Sequence, residues 1–370
     1  MRRFWILFLT ELKVWRHDPI PIMGGFIAPT VMLVAFGLLF GGRLSFPIAV
    51  LNYDAGPYGA ILRESFDEVM SPFGAPYFEV IEMSEEDAWA AFQANRIDAV
   101  WVIPEDFSAR LDAGEHPTIE MHFSNYNDDR AKNHRIYSAE IMWHFYEEIG
   151  QPAPPLAIAE EYPRPEMVSW LSIIGVGLVL LSVTLGAMFN IFMLTYKEQI
   201  ERVTVEFGLS PRSLALILLP KITLAFVMGL VTGLGLLFIF YLWTGIWPGR
   251  YLWAVLLLCG LVSLFWIALA LIMGLRVRNY MAGAIAAVLT GVTAFFIGGG
   301  LAPIRYYSRG LVWFAWIFPN TYAVDPLREL ILFDAWPANW LSTTFILLAF
   351  AIGSLGVSFA LTNRYLRRLG

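Results

Sequence analysis

The stretch Tyr196-Lys197-Glu198-Gln199-Ile200-Glu201-Arg202-Val203-Thr204-Val205-Glu206-Phe207-Gly208-Leu209-Ser210-Pro211-Arg212 opens a charged, proline-containing interlude between two very apolar segments, and the interlude closes at Lys221. Glu198, Glu201, Arg202 and Glu206 are spaced i, i+3, i+4 and i+8, which predicts one polar helix face, with Ile200, Val203 and Phe207 on the other. Gly208 ends that helix and Ser210-Pro211 starts the next. A short amphipathic helix tethered between two membrane spans lies along the membrane surface, where a soluble partner can grip it. A solvated loop helix is the alternative reading of the same pattern.

The flanking composition supports the membrane setting. Of 370 residues, 58% are hydrophobic and 15% charged, and the mean hydropathy is +0.60. Soluble domains use roughly 45–50% apolar residues. The fold class is therefore a polytopic α-helical membrane protein. The net charge of -6 hides an asymmetry, because acidic residues crowd between Asp54 and Glu166 while basic ones are spread among short loops. The acidic block reads as a separate soluble domain. The lone Cys259 sits in an apolar run and cannot form an intrachain disulfide.

Residues 1–18 mix Arg2, Arg3, Lys13 and Arg16 with Phe4, Trp5, Leu7, Phe8, Leu12 and Trp15, the composition of a basic, aromatic helix lying in the interface. Residues 19–41 form the first span, interrupted by Pro29 and read as retained rather than as a cleaved leader. Its positive flank places the N-terminus in the cytoplasm. Residues 42–165 are the inserted extracytoplasmic α/β domain. Strands are expected at Pro47–Tyr53, Tyr77–Met83, Ile97–Ile103 and Thr118–Phe123, and helices at Tyr58–Met70, Ser84–Asn95 and Ala131–Ile149. Ser84-Glu85-Glu86-Asp87 supplies a capping box. A Pro-rich linker, Gln151–Pro165, returns the chain to the membrane.

Residues 166–370 hold five further apolar segments, at Val168–Leu194, Leu214–Trp243, Tyr251–Leu275, Met281–Gly300 and Trp340–Leu361, each long enough to span. Six spans with both termini inside satisfy the excess of Lys and Arg at one set of ends. The coupling helix occupies 196–213. Residues 301–333 are apolar but broken by Pro303, Arg305, Arg309, Pro319, Asp325, Pro326 and Arg328. They are expected to form a re-entrant hairpin capping a pathway, since irregular backbone at membrane depth needs protein or a cavity around it. Pro319, Asn320, Tyr322 and Arg328 are its candidate gate residues, and Asp325 or Glu329 is placed to pair with Arg328. Thr184 and Asn190, polar groups in the second span, are candidates for pathway contact or, better, hydrogen bonding between helices. Gly229-x-x-x-Gly233 and Gly298-Gly299-Gly300 allow close helix crossing.

The apolar interiors of the spans contain essentially no Asp, Glu, Lys, Arg or His, where ion-coupled carriers place ionisable groups. No phosphate-binding Gly-x-x-x-x-Gly-Lys-Ser/Thr loop occurs, so an ATPase would be a separate chain, and no zinc helix, nucleophile elbow or Cys pair supports an enzyme. Asn127-Asp128-Asp129 with His122, His134 and His144 offers metal-ligating types, but the spacing fits no metal pattern and reads as a polar loop with helix-surface histidines.

The chain resembles the type-2 exporter permeases of ABC transporters, in the multidrug-type subgroup with a large extracytoplasmic domain between the first two spans. Asp98-Ala99-Val100-Trp101-Val102-Ile103-Pro104-Glu105-Asp106-Phe107-Ser108 is similar to that subgroup's strand and Pro-acid-x-Phe turn. Glu201-Arg202, Thr204, Ser210-Pro211 and Lys221 match the family's coupling region, with Val203 in place of the usual Gly. Phe318-Pro319-Asn320-Thr321-Tyr322-Ala323 looks like its re-entrant segment. The resemblance implies a permease half in the cell (inner) membrane that pairs with a second copy or a paralogue. It implies ATPase subunits docked on Glu198, Glu201, Arg202, Glu206, Ser210 and Pro211, with ATP and Mg bound on those subunits and no cofactor on this chain. An exporter of an amphipathic or lipophilic small molecule is expected, with a periplasmic adaptor as a further partner, lipid around the spans and no role for nucleic acid. The alternative is a membrane-anchored sensor or receptor that uses its extracytoplasmic domain for binding.

Overall fold

A computed structural model describes residues 2–17, 20–40, 45–71, 74–94, 96–115, 117–123, 128–150, 168–209, 213–304 and 307–367. The chain runs α1 (Arg2–Arg16), α2 (Ile20–Phe40), β1 (Phe46–Asn52), α3 (Pro57–Glu68), β2 (Phe78–Val80), α4 (Glu85–Gln93), β3 (Ala99–Ile103), α5 (Phe107–Asp112), β4 (Glu120–Phe123) and α6 (Asp128–Glu148). It continues through α7 (Trp170–Ile200), α8 (Val203–Leu209), α9 (Leu214–Thr244), α10 (Leu252–Arg276), α11 (Tyr280–Ile297), α12 (Arg309–Ala315), α13 (Pro319–Leu332) and α14 (Trp340–Leu366). Two compact units result, Met1–Phe40 with Val168–Gly370, and Gly41–Met167.

The described elements of the first unit are all helical. Among the described residues, five helices are long and apolar enough to cross a membrane: α7, α9, α10 with its leading turn from Gly249, α11 and α14. The 21-residue α2 is apolar over Met23–Leu38. The five differ in how much of themselves they hide. Some 94% of α7's apolar window is buried, against 17% for α14, so α7 is the axis and α14 lies on the outside. Small residues allow neighbours to close on it. A Cβ on Gly25 of α2 would stand 2.3 Å from the Gly186 backbone, and one on Gly177 would stand 2.4 Å from the Gly300 carbonyl oxygen. The Gly229 and Gly233 pair faces α7 at Ala187 and Val183, as small residues do where helices in lipid approach closely.

Residues 301–333 contain α12 and α13, of 7 and 14 residues. At 1.5 Å per residue neither reaches the roughly 30 Å of a hydrocarbon core. Pro319 starts α13 at a position where its missing N–H costs nothing.

Among the described residues the second unit holds a four-stranded sheet in the order β2-β1-β3-β4. β1 pairs in parallel with β2 and β3, and β4 joins β3 antiparallel. The central strands read as continuous apolar runs because helices cover both faces. Ile48 and Trp101 pack with Phe66, Phe78, Ile141 and Phe145 on one side. Ala49, Leu51 and Val100 pack with Ala88 and Ala91 of α4 on the other. Ser84 caps α4 as its sequence implies, its hydroxyl accepting the Asp87 N–H at 3.2 Å.

In such sheets a ligand crevice opens at the carboxyl ends of the strands where the order reverses, which here is the end of β1 and β3. That place is filled by the chain's own Asp54. One carboxylate oxygen accepts the Ser108 N–H at 3.0 Å, and the other accepts the Gly59 N–H at 3.1 Å and the Ser108 hydroxyl at 2.5 Å. Partial burial pushes this carboxyl up, but the Ser108 hydroxyl and the N–H groups of Ser108, Gly59 and Gly56 outweigh it and hold the group below its ordinary value of 3.8. A depressed carboxyl adds stability that is complete above that ordinary value and is withdrawn as pH falls below it. Asp54→Asn should lower the stability of this unit by about 1–2 kcal/mol at neutral pH and remove part of the acid-side fall in unfolding temperature. Thermal melts of wild type and variant across pH 3 to 7 check both.

Candidate functional site

Lys221 follows Pro220 in α9 and is 1% exposed. Its Nζ donates to Glu11 Oε1 of α1 at 2.9 Å and to Glu198 Oε1 in the last turn of α7. It also lies 5.3 Å from the ring centre of Phe207 in α8. One ammonium thus joins four helices. Leaving it alone among apolar side chains would be prohibitive, so the two carboxylates are part of the fold rather than additions to it.

The N-terminal helix is fastened a second time, one turn further on. Trp15 Nε1 donates to Asn190 Oδ1 at 2.6 Å, and Asn190 Nδ2 donates to the Gly186 carbonyl at 2.7 Å. Glu11 and Trp15 lie one turn apart on the same face of α1. Asn190 is therefore a helix-to-helix fastener, fully buried.

The single polar helix face expected over 198–206 does not form. α7 ends at Ile200, Arg202 takes a left-handed φ of 60°, and α8 opens at Val203. A left-handed residue turns the chain, so the helical period does not run through it. Glu198 faces inward to Lys221, whereas Glu201 and Arg202 at the corner and Glu206 on α8 are exposed. Ser210 and Pro211 lie outside the described residues. The structure thus separates the four charges into one structural carboxylate and three surface groups.

A second polar cluster ties α13 to α7 and α10. Asn320 Oδ1 accepts Trp266 Nε1–H at 2.8 Å, and Asn320 Nδ2 donates to Thr184 Oγ at 3.4 Å. Arg328 is 6% exposed and holds the end of α11. It donates to the Gly299 carbonyl at 2.7 Å, the Gly300 carbonyl at 3.2 Å, the Ile173 carbonyl at 3.4 Å and Asp325 Oδ1 at 2.9 Å. Pro319 is buried, and the half-exposed Tyr322 donates its hydroxyl to the Trp316 carbonyl at 3.2 Å. Asn320 thus meets Thr184 and Trp266 at the start of α13, Arg328 holds Ile173 and the 299–300 carbonyls from two turns further along it, and Asn190 belongs to the Lys221 end of α7.

Two members of these clusters escape a reading of the sequence. Glu11 carries a signal in retrospect, since it is the one acid inside a basic, aromatic helix. Trp266 carries none, being one more aromatic residue in an apolar span. The histidines are dispersed in setting. His122 packs edge-on to Trp89, His134 is buried against Phe46 and Phe78, and His144 pairs with Glu68.

A family model described as ABC-2 family transporter protein matches residues 22–360, from α2 through most of α14. The chain belongs to the ABC-2 transporter family. No curated protein matches it. Membership makes the chain a multi-pass membrane permease component of an ABC transporter, a transport subunit whose partner in general is an ABC ATPase. In this ABC-2 permease component Lys221→Met should cost about 3–5 kcal/mol, because it leaves Glu11 and Glu198 facing each other without a cation. Glu198→Gln should cost less, since Lys221 keeps Glu11. Unfolding of the detergent-solubilised variants orders the two.

Proposed function

We propose that the chain is half of an ATP-driven exporter, with six spans counting α2, both termini in the cytoplasm and the α/β unit outside. On this reading the ATPase docks on the exposed corner formed by Glu201, Arg202 and Glu206, with α1 alongside. The observation that carries it is Lys221, which binds the helix bearing that corner to α1, α7 and α9. A push on α8 reaches the axis of the bundle through one buried ammonium. Arg202, strained in the left-handed region at a cost of about 1–2 kcal/mol, is the hinge at which α8 moves against α7.

The pathway forms between this chain and a second copy or a paralogue, with lipid against the exposed apolar faces of α2, α11 and α14. The segment of Pro319, Asn320, Tyr322 and Arg328 closes its outer end. An amphipathic or lipophilic small molecule fits a bundle whose interior charge is already paired. In a two-membrane cell the α/β unit would meet an adaptor in the periplasm. The sensor reading is disfavoured by Asp54, which occupies the crevice where a doubly covered sheet of this order takes its ligand.

Affinity capture of the solubilised protein, followed by mass spectrometry and an ATP hydrolysis assay, tests docking. Wild type should retain an ATPase that the Glu201→Lys, Arg202→Glu double variant loses while keeping its wild-type unfolding temperature. Equal retention by both would remove the corner from the docking surface. Absence of any ATPase from a folded wild-type preparation would favour the sensor.

A further inference from the structure

The α/β unit contains a cluster that neither the transport reading nor the fold requires. α3 ends in Asp67-Glu68 and α6 ends in Glu147-Glu148, so four carboxylates stand at the negative ends of two helix dipoles. Neither helix carries Lys or Arg in its last turn. Asp67 is compensated by Arg63 at 2.6 Å, one turn back. Glu68 and Glu148 meet instead at a histidine.

His144 Nε2 lies 2.9 Å from Glu68 Oε2, and Glu148 follows His144 by one helical turn. One ligand atom from each of the three residues falls within 4.8 Å of the others. A tetrahedral zinc ion with ligand bonds near 2.1 Å holds its ligands roughly 3.4 Å apart. Small rotations of the exposed Glu68 and Glu148 side chains close that difference. Imidazole and carboxylate are both ligand types that zinc accepts, and three of them leave the fourth tetrahedral position to water. The two helix ends add negative potential where the ion would sit.

We propose that Glu68, His144 and Glu148 form a divalent transition-metal site selective for Zn2+ over Mg2+. Magnesium is disfavoured because it prefers an octahedral oxygen shell and binds through oxygen rather than imidazole. The ion joins the C-terminal ends of α3 and α6. It therefore fixes the point where α6 hands the chain on to residues 151–167.

The full chain, purified in detergent through a tag without histidine, is titrated with Zn2+ or Mg2+ by calorimetry and by thermal melting. Wild type should take up Zn2+ saturably, one ion per chain, and melt at higher temperature with it, while Mg2+ does neither. His144→Asn and Glu148→Gln should abolish saturable uptake, and Glu147→Gln should keep it. Glu148 is exposed at a helix end, so its variant carries the test if His144→Asn does not fold. The proposal is overturned by a wild type without saturable Zn2+ uptake, or by uptake that survives Glu148→Gln. Equal loss in Glu147→Gln would also overturn it, since a diffuse acidic surface would then be binding the ion.

Discussion

A buried ammonium has to keep its counter-charges, and that constraint organises the helical unit. Lys221 is almost wholly removed from solvent, and it is held by carboxylates from α1 and α7 that come from distant parts of the chain. Removing one partner from such a group leaves charge without compensation, which is far more costly than a surface pair is worth. Phe207 of α8 sets its ring 5.3 Å from the same ammonium, so α8 packs on the joint that links α1, α7 and α9. Further along α7, glycines admit α2 and the 298–300 turn to its surface.

The same bundle is held at its other end by different chemistry. Asn320 and Arg328 use hydrogen bonds to a threonine hydroxyl, an indole and backbone carbonyls, with Asp325 as an ionic partner of Arg328. Both ends therefore bury a cation, but Arg328 spreads its charge-assisted bonds over backbone carbonyls and a carboxylate, whereas the Lys221 ammonium faces two carboxylates.

Much of this was legible in the sequence for simple reasons. Long apolar runs without charge can only be spans or core, and the alternation of apolar runs and charged helical windows between Phe46 and Ile149 can only be a small α/β domain. The broken segment 301–333 reveals itself by its prolines and charges. What could not be read are the pairings across long separations. Glu198 looks like its neighbours Glu201 and Glu206 by spacing, and it is distinguished only by a lysine 23 residues on, beyond a change of direction that Arg202 makes without a glycine to announce it. The short helix α5 was hidden for a related reason, because its Pro-acid-x-Phe lead reads as a turn until Asp54 is seen capping it from the end of another strand. Helical period fixes faces within an element, and it is silent about which faces meet.

The most direct test of the account is a double-mutant cycle on Lys221 and Glu198, reading unfolding free energy in detergent for Lys221→Met, Glu198→Gln and the combined variant. If the ammonium is the joint between α7 and α9, the combined loss falls short of the sum of the single losses by about 1–3 kcal/mol. Losses that add would mean that the two residues act independently, and the joint would have to be sought elsewhere.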